Sequence, residues 1–358
     1  MSRPPPMTEH SIAPTRAELD EALHASGVLP AHVAVARADP RPIGAGQLAE
    51  SFQVALDYHG SPAGPASAFV KLPPLEEHSA ATASRIGAFE REIYFYTELR
   101  PALRINAPRF LGTLQRPDGS VGLVLEDLSV AARPLDQLRD GTVAQACSVA
   151  RQLAGLQAPY WDDETRVGGS ARFYNRTDDH IDGLADRYLE SWATVGQRIR
   201  AAFERSHVTI LERFGTRVRG WAAGITGPRT LVHQDLRLDN LLWDGHRAWL
   251  IDWQTLAWTS PAWDLAFFLG TALEPSVRRQ VEGQLLAEHV AALRRHGVVG
   301  WDYGTAWREH RRLSGSVLLS MVAALAFVKP TDRGYDMFAH LLRRGAQQAI
   351  DHDLLSFT

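Results

Sequence analysis

A single cysteine, Cys147, is the whole thiol content of this 358-residue chain. It excludes an intrachain disulfide and a cysteine-rich zinc site, and it fits a reducing cytoplasm. Neither sign of charge dominates: 38 Lys and Arg face 41 Asp and Glu, a formal net charge of −3. That balance gives no basis for a broad nucleic-acid or acidic-membrane surface. Long apolar runs are also missing. The longest, near Val317 to Val328, contains Ser320 and stops at Lys329-Pro330, too short to span a bilayer. It reads as a buried helix, and no membrane partner is expected. Met1-Ser-Arg-Pro-Pro-Pro lacks the apolar core of a signal peptide. Internal repeats and low-complexity tracts are absent.

What remains is ordinary globular material. Apolar residues make up 45% and charged residues 22%, so a sizeable core is expected, and the length suffices for two lobes. Residues to about Pro14 read as disordered. Thr15-Arg-Ala-Glu18 is a capping box that predicts a plain surface helix to about Ser26. The alternation Phe52, Val54, Leu56, Tyr58 predicts a strand with one buried face, and Ala68 to Leu72 a second strand carrying Lys71. Phe89, Ile93, Tyr96 and Leu99 recur at helical spacing, with Glu92 among them. Thr113 to Leu125 reads as a hairpin turning at Asp118-Gly119, and Glu126-Asp127-Leu128 ends it. Helical patterns then dominate, at Val143 to Gln157, from about Tyr188 to Phe214, and after Asp264.

One hairpin interrupts the helices, and it carries the most informative residues. His233, Asp235 and Asn240 lie on one loop, with four residues between Asp235 and Asn240. Thr230 to Val232 is a strand entering that loop. Leu241 to Trp243 and Ala248 to Ile251 form a hairpin through Asp244-Gly245 that ends at Asp252. Phosphoryl transfer from a metal nucleotide needs this chemistry: one carboxylate to take an alcohol proton, and a second with an amide to hold Mg2+. The spacing is a variant of the His-Arg-Asp-(four residues)-Asn and Asp-Phe-Gly kinase signature. Upstream, Gly44 and Gly46 would let backbone amides approach phosphate oxygens, although Ala49 stands where a third glycine would. Lys71 on a mostly buried strand needs partners, and phosphate and Glu92 would supply two. An edge-strand lysine reaching water is the competing reading, and Glu90 competes with Glu92.

The chain resembles the phosphotransferase enzyme family that includes aminoglycoside phosphotransferases and choline kinases. The resemblance rests on His-Gln-Asp-Leu-Arg-Leu-Asp-Asn-Leu-Leu-Trp from His233, Ile-Asp-Trp-Gln from Ile251 and Pro-Ala-Trp-Asp-Leu-Ala from Pro261. Phe89-Glu-Arg-Glu-Ile-Tyr-Phe-Tyr and Leu125-Glu-Asp-Leu add to it, and the phrasing is most similar to the ecdysteroid-kinase-like branch. It implies an α+β, protein-kinase-like fold with a small β-rich lobe and a larger helical lobe, the nucleotide between them. Residues 1–30 would be an N-terminal extension, 31–127 the N-lobe and 128–358 the C-lobe. The implied roles are catalysis by Asp235, Mg2+ held by Asn240 and Asp252, and phosphates held by Gly44, Gly46 and Lys71, with Glu92 orienting the lysine. The adenine edge of ATP (or GTP) would meet the backbone of Glu126, Asp127 and Leu128. His233 and Asp264 would support the loop. Gln234 replaces a glycine common in the family, and Trp253-Gln254 replaces Phe-Gly.

Only Trp253 to Trp263 separates Asp252 from Asp264. A protein kinase needs a longer segment there to dock a peptide, so the acceptor is expected to be a small-molecule hydroxyl. From Thr271 onward nine Asp and Glu face eleven Lys and Arg, a balance that disfavours a polycationic aminoglycoside. A neutral or moderately apolar alcohol fits better. A non-catalytic nucleotide-binding module is the alternative from another class.

Overall fold

The computed structural model describes residues 13–43, 49–59, 64–74, 87–116, 119–169, 173, 178–327 and 332–358. The chain forms two compact units, Met1–Thr97 with Pro108–Val130, and Glu98–Ala107 with Ala131–Thr358.

The first unit is built on β1 (Val35–Pro42), β2 (Glu50–Tyr58), β3 (Ser67–Leu72), β4 (Phe110–Gln115) and β5 (Val121–Glu126). They make one antiparallel sheet in the order β1-β2-β3-β5-β4. The alternation read in β2 buries Phe52, Val54 and Leu56 on one face. Helix α1 (Arg16–Ala25) has the expected capping box at Thr15. It is not a plain surface helix, however. Leu19 and Leu23 are wholly buried and share a core with Val54, Val70, Leu114 and Val124. Its contact with β4 is close enough that a Cβ on Gly112, at φ 151°, would stand 2.6 Å from the Ala22 carbonyl oxygen. Helix α2 (Ala88–Tyr94) runs into a π-helical turn at Phe95–Leu99.

The second unit is mostly helical: α3 (Val143–Gln157), α4 (Asp178–Ala202), α5 (Arg205–Gly215), α6 (Val218–Ala223), α7 (Trp263–Ala272), α8 (Pro275–Arg295), α9 (Tyr303–Leu313), α10 (Gly315–Phe327) and α11 (Asp332–Asp351). The helical pattern read from about Tyr188 to Phe214 falls on two helices, α4 and α5. The extended backbone of Glu204 separates them, with neither Gly nor Pro at the break. Every residue of α7 is buried, as its all-round apolar sequence requires. Short strands β6 (Arg133–Pro134), β8 (Leu241–Trp243) and β9 (Ala248–Leu250) form one sheet. A second pairs β7 (Thr230–Val232) with β10 (Ala257–Thr259), a strand without a sequence signal of its own. No helix among the described residues is long and apolar enough to cross a membrane.

Candidate phosphotransfer site

In the large unit, β7 delivers the chain into the loop at His233 with all three strand residues buried. Two backbone amides then point at one carboxylate. His233 N donates to Asp264 Oδ2 at 2.8 Å and Gln234 N to Oδ1 at 2.9 Å. Asp264, in the first turn of α7 and fully buried, thus anchors the loop instead of capping its own helix. His233 Nε2 donates to the Ile251 carbonyl at 2.9 Å, and its ring packs 4.6 Å from that of Trp253. The Thr255 hydroxyl donates to the His233 carbonyl at 2.9 Å. Loop and hairpin end are therefore tied together around His233.

Burial pushes the Asp264 carboxyl up to about 6, against the opposing effects of His233 and the two amides. A raised acid pKa favours the folded chain below the unfolded value near 4, and that contribution is lost as pH rises through about 6. Compared with Asp264→Asn, wild-type stability is therefore expected to fall between pH 4 and pH 7 by an amount of the order of 3 kcal/mol. Urea unfolding of both proteins across that range measures it. A pH-independent difference would refute this account of Asp264.

Gln234 takes the position that a glycine commonly holds in the family, and the backbone demand is real: its φ is 72°. Its Oε1 is also buried without a hydrogen-bond partner. Trp263 Nε1 donates to its carbonyl at 3.1 Å, which holds the strained peptide in place. Gln234→Gly keeps the amide bound to Asp264 and is expected to change stability by less than about 1 kcal/mol. Gln234→Val is expected to lose about 1–3 kcal/mol, because a β-branched residue is poorly tolerated at positive φ. Thermal unfolding separates the two outcomes, and equal losses would remove the backbone argument.

Asp235 stands half-exposed beyond this anchor. Asn240 Nδ2 donates to the Asp235 carbonyl at 2.8 Å and to Oδ2 at 3.0 Å. Arg237 Nε donates to both carboxylate oxygens, at 3.2 and 3.1 Å, and its NH1 to Asp239 Oδ2 at 2.8 Å. Burial works against the Arg237 charge, yet Asp235, Asp239 and Asp252 together hold its pKa above the ordinary arginine value. Asp252 closes the hairpin at φ 65°, in the left-handed region that aspartate tolerates better than most non-glycine residues. With Asn240 Nδ2 turned to Asp235, its Oδ1 is left as an oxygen donor. A carboxylate and an amide oxygen form a hard donor set, which suits Mg2+.

Sequence reasoning missed two residues here. Arg237 lies inside the motif, but its pairing with Asp235 and Asp239 depends on the folded loop and not on their spacing. Gln137 left no signal at all. It is buried about a hundred positions upstream, where its N–H donates to Asp239 Oδ1 and its Oε1 accepts from Leu238 N. Its Nε2 donates to the Thr271 carbonyl.

After Asp252, every residue from Trp253 to Asp264 is buried except Thr255. A short 3-10 turn, β10 and the start of α7 account for most of the run, which leaves no segment of the length a peptide platform needs.

The small unit holds the other expected residues. Lys71 lies on β3, flanked by β2 and β5, so it is not an edge-strand lysine. Its Nζ donates to Glu92 Oε2 at 2.7 Å, and both side chains are buried. The exposed Glu90 is not the partner. Glu126 ends β5 and pairs with Arg109. The Asp127 carboxylate accepts from Gln53 Nε2, Ser67 Oγ and Ser129 N. Burial opposes its charge, but these donors hold it below the usual carboxylate range. The Asp127 side chain is thus committed to the fold, and only its backbone is available to a ligand. Leu128 is buried beside it. Gly44 and Gly46 lie outside the described residues.

The sequence model of the phosphotransferase enzyme family matches residues 39–313. No curated protein matches the sequence at a significant level. Among solved structures, a choline kinase from Cryptosporidium parvum Iowa II is 12% identical with a TM-score of 0.57, covering 93% of this chain and 96% of its own. A microcompartment-associated aminopropanol kinase is 17% identical with a TM-score of 0.56, covering 90% of this chain and 95% of its own. A thermostable mutant of the aminoglycoside phosphotransferase APH(4)-Ia (N202A), solved with AMP-PNP and hygromycin B, is 16% identical. Its TM-score is 0.51, covering 88% of this chain and 94% of its own. At these identities the neighbours establish the fold, which is protein-kinase-like, with a β-sheet unit and a helical unit. The matched stretch includes Lys71, Glu92, the Asp235 loop and Asp252, and the chain belongs to the phosphotransferase enzyme family.

Proposed function

We propose that the protein is a Mg2+-dependent kinase that moves the γ-phosphoryl group of ATP to a hydroxyl of a small molecule. The observation that carries this reading is the pinned loop. Asp264, Gln137 and Thr255 fix its backbone, while Asn240 and Arg237 fix the direction of the Asp235 carboxylate. A carboxylate held in this way positions the acceptor hydroxyl and takes its proton as the phosphoryl group transfers. Asn240 and Asp252 would hold the Mg2+, whose charge offsets that of the phosphates. Arg237 adds positive charge beside Asp235, where negative charge on the transferring group would otherwise be repelled. Lys71, oriented by Glu92, would hold the α- and β-phosphates, and the backbone of residues 126–128 would receive the adenine. Structural relatives have been solved with AMP-PNP and with GDP, which supports a purine nucleotide, ATP or GTP, as donor.

A small acceptor is supported by the compact, buried run after Asp252. The structural relatives include kinases of choline and aminopropanol and aminoglycoside phosphotransferases alike, so the choice of a small alcohol rests on this chain's own residues. The test is to incubate the purified protein with γ-labelled ATP, Mg2+ and a cell extract, then separate small molecules from protein. Label in one or a few metabolites is the expected result, and mass spectrometry identifies them. Label confined to protein, or none beyond hydrolysis, would defeat the proposal.

A further inference from the structure

Three helices of the large unit meet in a buried polar cluster that phosphotransfer does not use. Glu282 on α8, His310 on α9 and His352 just after α11 each offer one ligand atom, and these atoms lie within 4.8 Å of one another. Phe338, near the other end of α11, lies 5.9 Å from the Arg237 guanidinium. His352 is thus about 20 Å further along that helix from the Asp235 loop.

The distances are those of a coordination shell. Glu282 Oε2 is 3.2 Å from His352 Nε2 and 3.7 Å from His310 Nε2. Nitrogen and oxygen ligands around tetrahedral Zn2+ stand about 3.3 Å apart, given metal–ligand distances of roughly 2.0–2.2 Å. The His310 and His352 rings are 5.5 Å apart and nearly perpendicular. Trp307 stacks on the first and meets the second edge-on, which fixes both planes.

His310 is the residue that asks for an explanation. It is completely buried, and among the described residues neither Nδ1 nor Nε2 has a partner at hydrogen-bond distance, Glu282 Oε2 being 3.7 Å from Nε2. Leaving such a group unsatisfied costs about 1–3 kcal/mol, and native structures usually answer it with a water or an ion.

The neighbouring charges select the kind of cation. Arg278 NH1 donates to Glu282 Oε2 at 2.6 Å and lies 3.3 Å from His352 Nε2, while its NH2 pairs with Asp351. Arg279 pairs with Asp351 as well. Two arginines therefore balance two carboxylates, and the cluster has no net negative charge to attract Mg2+ or Ca2+, which bind through anionic oxygens. Two imidazoles instead favour Zn2+, Co2+, Ni2+ or Cu2+. Arginine has no lone pair to offer, so on metal binding Arg278 NH1 would have to give up His352 Nε2 while its NH2 stays paired with Asp351.

We propose that Glu282, His310 and His352 bind one late first-row divalent cation, for which Zn2+ is the natural probe. The metal would join α8, α9 and the end of α11, a structural role separate from the Mg2+ of phosphotransfer and independent of whether that function is correct.

The test uses untagged, chelator-treated full-length protein, dialysed against Zn2+ or Co2+ with Mg2+ in excess. One equivalent of Zn2+ per chain is expected, with a raised melting temperature and a tetrahedral Co2+ absorption spectrum. The paired variant His310→Phe/His352→Phe keeps rings against Trp307 and is expected to lose the equivalent, whereas Asp252→Asn keeps it. Failure of the wild type to bind one equivalent overturns the site, and leaves a charge network of Arg278, Glu282 and His352 as the full account. Retention by the paired variant, or loss in Asp252→Asn, overturns it too. Should the paired variant not fold, Glu282→Gln takes its place, with loss of the Co2+ spectrum expected and an unchanged spectrum counting against the site.

Discussion

Asp235→Asn is expected to lower turnover by about 10²- to 10⁴-fold, the range for removal of a positioned general base, with the nucleotide KM changed by no more than a few-fold. Asp235 faces two donors, Arg237 Nε and Asn240 Nδ2. A carboxamide offers them one acceptor oxygen in place of two and turns an NH2 toward the donors, which weakens these bonds at a cost of about 1–3 kcal/mol. Steady-state kinetics must therefore be paired with a melting curve. A folded variant with near-wild-type turnover would remove Asp235 from the mechanism. A folded variant that has lost nucleotide affinity along with turnover would assign Asp235 to binding instead.

The second large effect concerns stability in the small unit. Glu92→Leu strands the Lys71 ammonium in a buried place without its carboxylate, and a loss of about 3–5 kcal/mol is expected. Lys71→Met strands the carboxylate and should cost a similar amount. The double variant Lys71→Met/Glu92→Leu removes both charges and is expected to recover most of the loss, while nucleotide binding does not return. Urea unfolding of the four proteins makes a double-mutant cycle. Additive losses in the double variant would show that the two charges do not depend on each other.

These two sites differ in how far they could be read from the chain. The Asp235 loop was legible because its residues lie within a stretch of twenty and because hairpins announce themselves locally, through Asp244-Gly245 and apolar alternation. The Lys71–Glu92 pair was legible only as a candidate. Sequence spacing could not say whether β3 is an inner strand or an edge, nor choose Glu92 over Glu90. The order β2-β3-β5 and the direction of α2 made both choices.

Arg237 aside, what the sequence did not disclose has one cause. Gln137 reaches the loop from about a hundred positions away, and nothing in its local sequence marks it. Helix α1 carried its capping signal plainly, but its docking on the sheet depends on Leu19 and Leu23 finding partners on strands far along the chain. The Glu282, His310 and His352 cluster gathers three helices separated by dozens of residues, so no motif spacing could disclose it.

By itself, then, the sequence determined the period-2 and helical segments, the chemistry of the loop between His233 and Asp252, and the short run that follows it. All of these are local, because hydrogen-bonding type and hydrophobic period act over a few residues. The tertiary structure alone decided which carboxylate meets Lys71, that Asp264 grips the loop backbone, that Arg237 lies among three aspartates, and which buried imidazole has no partner. Those are matters of long-range packing, in which burial strengthens each charge interaction and makes each unmet polar group costly.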